Sequence, residues 1–133
     1  MNGATVRVYS KAKDGNKNLS ANFKVREFAC TDGSDPVFVS DKLVAVLQDI
    51  RDHFGRAVTI NSGYRTVAKN KSVGGAAYSQ HLYGTAADIS IRGVSPTRVA
   101  AYAETLLPGT GGIGIYGTFT HIDVRATRSR WNG

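Results

Sequence analysis

Three histidines occur in the chain, and two of them sit beside carboxylates in glycine-flanked settings. The first lies in Ser79-Gln80-His81-Leu82-Tyr83-Gly84-Thr85-Ala86-Ala87-Asp88, the second in Thr120-His121-Ile122-Asp123-Val124-Arg125. Asp88 falls inside a predicted strand, between Ala87 and Ile89. A carboxylate there risks burial, and a buried charge is costly unless something neutralises it. His121 sits on a second predicted strand, where period-2 alternation puts His121 and Asp123 on one face and Ile122 and Val124 on the other. Two imidazoles and one carboxylate would leave a coordination position open, as catalytic zinc requires. The same residues also fit a set of hydrogen-bonded histidines with an Arg65–Asp88 ion pair, and spacing leaves both readings open. His53, at the end of a predicted helix, reads as a surface histidine stabilised by the helix dipole.

The elements that must position these groups have local signatures. Ser40 is an N-cap for a helix carrying Leu43, Val46, Leu47, Ile50 and Phe54 at helical spacing, stopped by Gly55. Val58 to Asn61 and Ala86 to Ile91 read as short buried strands. Ser95-Pro96 opens a second helix through Val99, Ala100, Ala103 and Leu106, which ends at Pro108-Gly109. Ile113 to Tyr116 and Phe119 to Val124 read as paired strands around Gly117. The polar stretch to Ser20 is either a hairpin or a mobile N-terminal arm, and Thr31 to Pro36 is a turn-rich loop. The expected architecture is a single α+β domain over residues 1–133, a small antiparallel sheet packed against helices.

With 133 residues the chain can bury a core without disulfides, and its one cysteine, Cys30, reads as a small buried hydrophobe. No apolar run approaches the roughly 18 residues of a membrane span, and Met1 to Ser10 lack the features of a signal peptide. The formal net charge of +7 favours polyanions. The basic residues are scattered, which reads as solvated surface and argues against a nucleic-acid stripe.

Five segments carry a resemblance. Ser62-Gly63-Tyr64-Arg65-Thr66, then Asn70 to Ala76, then Ser79-Gln80-His81 through Asp88-Ile89, together with Thr120 to Arg125 and Arg130-Trp131, resemble the zinc D-alanyl-D-alanine carboxypeptidase family. The likeness runs from about Phe23 to Trp131. That family includes phage endolysins and shares its fold with the hedgehog signalling domain. The resemblance implies His81, Asp88 and His121 as ligands of one zinc ion per chain. It implies Arg65 facing the scissile peptide and its carboxylate, Ser79 lining the substrate subsite, and Gly74 and Gly75 in a loop that approaches the site. Tyr64, Tyr83 and Tyr116 are candidates to line the groove, with Tyr83 the favoured substrate contact. Trp131 reads as a core plug.

Two departures stand out. Some branches carry a glutamate base three residues before the last ligand, where this chain has Thr118. Others end in His-x-His, where this chain has His121-Ile122-Asp123. His121 is favoured over Asp123 as third ligand, leaving Asp123 as catalytic base or as the residue that orients His121. The implied function is hydrolysis of peptidoglycan stem peptides at the cell wall, by a monomer with no nucleic-acid partner and no membrane span. The absent signal peptide would suit a phage lysin or a module of a longer protein. The main rival is a peptidase-like module that binds wall peptides without cutting them.

Overall fold

Capping chemistry sets the two long helices. In the computed structural model, which describes residues 5–133, the Ser40 hydroxyl accepts from the Leu43 amide at 3.3 Å and starts a helix over Asp41–Phe54. Gly55, at φ 63°, ends it in the left-handed region that glycine tolerates. Ser95 caps the helix Pro96–Leu106 through the Arg98 amide, with Pro96 in its first turn. In chain order the strands are β1 (Val6–Ser10), β2 (Pro36–Ser40), β3 (Val58–Ser62), β4 (Ala86–Ile91), β5 (Gly112–Ile115), β6 (Thr120–Asp123) and β7 (Ser129–Asn132). The helices are α1 (Lys11–Asp14), α2 (Asp41–Phe54), α3 (Val67–Ser72) and α4 (Pro96–Leu106), with short 3-10 turns at Val25–Phe28 and Gln80–Tyr83.

Five strands form one sheet in the order β3-β4-β6-β5-β7, and β1 pairs with β2 in a separate two-stranded sheet. The sheet is therefore not wholly antiparallel as expected, because β7 runs parallel to β5. The chain leaves β6, passes the β5 edge and returns along it in the same direction. Nothing in the local pattern of Ser129–Asn132 announces that pairing. The stretch before Ser20 also differs from both expectations. Residues 1–4 lie outside the described residues. From Val6 the chain is neither a local hairpin nor an arm, since β1 pairs in register with β2 from Val6↔Ser40 to Ser10↔Pro36.

The large sheet has two unlike faces. Ala87, Ile89 and Ile91 of β4, Ile113 of β5 and Ile122 of β6 face the core, against Leu43, Leu47 and Ile50 of α2 and Val99 and Ala103 of α4. Leu47 and Ile50 are fully buried, each stabilising the fold by about 1.5–3 kcal/mol. The alternate residues of the same strands form the other face, and they carry the chemistry.

Candidate metal centre

One row of residues crosses the sheet on that second face. Asp88 of β4 pairs with Ser62 on one side and His121 on the other; His121 pairs with Gly114, and Gly114 with Trp131. The neighbouring row runs Ala86, Asp123, Gly112, Ser129. Glycine at 112 and 114 is a packing requirement. A Cβ on Gly114 would collide with the Trp131 indole, and one on Gly112 with the Asp123 carboxylate. Those two gaps let a tryptophan and a carboxylate lie flat against the strands.

His81 arrives from outside the sheet. The Gln80–Tyr83 turn starts at Ser79, whose hydroxyl accepts from the His81 amide at 3.3 Å, and ends at Gly84 with φ 72°. The His81 ring donates Nδ1–H to the Gly63 carbonyl at 2.7 Å, which turns Nε2 towards Asp88 Oδ2 at 3.3 Å. His121 has Nδ1 3.0 Å from Asp88 Oδ1 and Nε2 2.8 Å from Asp123 Oδ2. His81, Asp88 and His121 are all buried, and one ligand atom from each lies within 4.8 Å of the other two.

This donor set fits a divalent cation. A tetrahedron with bonds of about 2.0 Å has edges of about 3.3 Å, close to the His81–Asp88 and His121–Asp88 spacings of 3.3 and 3.0 Å. The outward nitrogen of each ring is already engaged, by the Gly63 carbonyl or by Asp123, in the manner of metal-ligating histidines. A neutral His121 can donate to only one of its two carboxylate neighbours, so a cation at Nδ1 resolves the conflict.

The electrostatics favour an ionised Asp88 at the centre of the site. Burial opposes ionisation of Asp88, but hydrogen bonds with His121 and His81 outweigh it and hold the carboxyl well below the usual range. Asp123 is held down in the same way, burial being outweighed by His121 and Arg125. For His121, burial opposes protonation, and the bonds with Asp123 and Asp88 prevail and raise its pKa.

The other expected residues divide. Arg65 and Ser79 line the cleft over the three ligands, a space of about 550 Å³, together with Gly74 and Gly75. Arg65 reaches Asp88 Oδ2 at 3.4 Å, Ser62 Oγ at 3.1 Å and Asn70 Oδ1 at 3.3 Å. Tyr116 also lines the cleft, whereas Tyr83 does not and stands half exposed. On a 3-10 turn a residue two positions after an inward-facing one points elsewhere. Asp123 does not line the cleft either. It is fully buried behind His121, accepting from the Gly112 amide at 2.9 Å and from Arg125 Nε and Nη2 at 2.8 and 2.6 Å. Its Oδ2 meets the His121 nitrogen that points away from Asp88. Thr118 is exposed on the β5–β6 hairpin, outside the cleft. Trp131 is no core plug: it lines the cleft beside His121, its Nε1 donating to Tyr116 Oη at 2.9 Å. His53 lies apart, stacked on Tyr102 at 3.6 Å.

Sequence reasoning passed over Asn70. It is buried on the six-residue α3, its Nδ2 donating to the Ala76 carbonyl at 2.8 Å while Oδ1 accepts from Arg65. A buried polar residue in a short polar helix carries no periodic signal. Asn70→Ala would leave the Ala76 carbonyl and one Arg65 N–H without partners. The expected loss is about 1–3 kcal/mol, seen as a lower melting temperature and faster proteolysis in the 73–79 loop.

The chain is 37% identical over 83 residues to the "Zinc D-Ala-D-Ala carboxypeptidase" of Streptomyces albus G, a match covering 57% of this chain and 31% of that protein. The chain thus spans less than a third of the length of that relative. The sequence model described as Peptidase M15 matches residues 18–123, a span that holds His81, Asp88, His121 and Asp123. On that match, over most of its length, the chain belongs to the peptidase M15 family.

Proposed function

We propose that the chain is a zinc-dependent peptidase that hydrolyses peptide bonds of peptidoglycan stem peptides, as a D-Ala-D-Ala carboxypeptidase or as an endopeptidase of the endolysin kind. The carrying observation is the convergence of His81 Nε2, His121 Nδ1 and the Asp88 carboxylate at the floor of an open cleft. The relative's name supports both the metal and the substrate class. We further propose one zinc ion per chain, a monomer, action at the cell wall and the hedgehog/D-Ala-D-Ala peptidase fold.

When bound, zinc supplies Lewis acidity towards the scissile carbonyl and an activated water. The protein's residues do the rest. Asp88 gives the site its anionic ligand, and Asp123, clamped by Arg125, holds the His121 ring in one orientation. Arg65, fixed by Ser62 and Asn70, presents a cation at the cleft for a substrate carboxylate or the developing oxyanion. Ser79, Tyr116 and Trp131 shape the walls that hold the peptide.

One observation favours a second reading, a wall-binding module without activity. Asp88 is the sole carboxylate among the described residues lining the cleft, so the base found in some branches of the family has no counterpart there. Purified peptidoglycan separates the two. The zinc-restored protein is expected to release new amino groups at least about a hundredfold faster than chelator-stripped protein. Metal-dependent sedimentation with peptidoglycan and no release would establish the binding module. Neither binding nor release would overturn both.

A further inference from the structure

The cleft does not end at Arg65. Beyond it lies a second, smaller pocket of about 250 Å³, with Arg65 and Val73 as shared walls and Thr31, Asn61, Tyr64 and Lys69 among its own. Arg65 and Lys69 are the only charged side chains among its described lining residues, and both are cations. Lys69 is partly buried and forms no ion pair among the described residues. The adjacent acid, Asp32, is not among the lining residues and accepts from the Thr66 hydroxyl at 2.6 Å and the Ser34 amide at 2.9 Å, so its charge acts on the pocket from outside. Arg65 has a direct counter-charge in Asp88, whereas Lys69 touches no carboxylate among the described residues. Two cations facing one small polar space repel each other, and an anion between them would remove that cost.

We propose that this pocket is an anion subsite for a carboxylate of the peptide substrate, lying on the far side of Arg65 from the metal ligands and paired with Lys69. The proposal rests on the peptidase reading for the identity of the peptide. It makes Lys69 a residue that selects substrates carrying a free carboxylate at that position over the same peptides with a carboxamide.

The test is calorimetric binding to the zinc-loaded full chain, with a stem peptide carrying free carboxylates and a set in which each carboxylate is amidated singly. One amidation is expected to weaken binding about five- to tenfold in the unmodified protein. That discrimination should vanish in Lys69→Met and persist in Lys69→Arg. Discrimination that survives unchanged in Lys69→Met would assign it to Arg65 alone and overturn the proposal, as would failure of all the peptides to bind. Lys69-dependent discrimination without hydrolysis would leave the subsite standing and remove the peptidase reading. Hydrolysis without such discrimination would do the reverse.

Discussion

Asp88→Asn is expected to lose zinc while keeping the fold. Asp88 sits at the focus of the site, with His81 Nε2 at 3.3 Å, His121 Nδ1 at 3.0 Å and Arg65 Nη2 at 3.4 Å around one carboxylate. Structural zinc sites are worth about 10–16 kcal/mol, so one ligand of several carries about 3 kcal/mol, and affinity should fall on the order of 10²–10³-fold. The true loss lies at the upper end, because Arg65 then faces the incoming cation with no carboxylate between them. An amide of the same shape keeps an acceptor for Arg65 and preserves packing. Asp88→Ala removes that acceptor as well and is expected to be less stable. Elemental analysis after reconstitution, beside a thermal melt, reads both effects. Full zinc occupancy in Asp88→Asn would show that the metal is held elsewhere.

His121→Ala and Asp123→Asn should differ in a way that separates ligand from orienter. If His121 is a ligand as proposed, the zinc loss in His121→Ala should match that of Asp88→Asn. Asp123→Asn acts one step back. Asp123 Oδ2 accepts from both His121 Nε2 and Arg125 Nη2. An amide nitrogen there sets donor against donor at two contacts, or else the flipped amide does the same to the Gly112 and Arg125 donors on Oδ1. The expected result is a zinc affinity lower by about 10–100-fold. Activity should recover when zinc is raised to saturation. A base buried at this position would give the opposite pattern, with normal zinc affinity and activity that saturating metal does not restore. Zinc titration with hydrolysis measured at each point distinguishes the two patterns.

Residue types and periodicity by themselves determined a good deal of this protein. Ser40, Gly55, Ser95 and Pro96 marked both long helices because capping is local chemistry between residues a few positions apart. The strand Ala86–Ile91 was legible from its apolar run, and Asp88 within it was legible as a charge needing a partner. His81, Asp88 and His121 were readable as a candidate ligand set, but only the likeness to known peptidases favoured a metal over an Arg65–Asp88 pair. Both contacts are present, since Arg65 reaches the same carboxylate as the two histidines.

Tertiary structure alone decided the register. Alternation says which residues share a face of a strand, but it cannot say which residue of a distant strand lies opposite. The pairing of Asp88 with His121 is between strands far apart in sequence. That register puts Asp123 one pleat deeper, beyond the cleft and against Gly112 and Arg125. The parallel return of β7 brought Trp131 over Gly114 and into the cleft wall. Asn70 gained its role from a fold-back of the 73–76 loop onto a short helix. Each of these depends on where the chain comes back to itself, and spacing along the sequence carries no record of that.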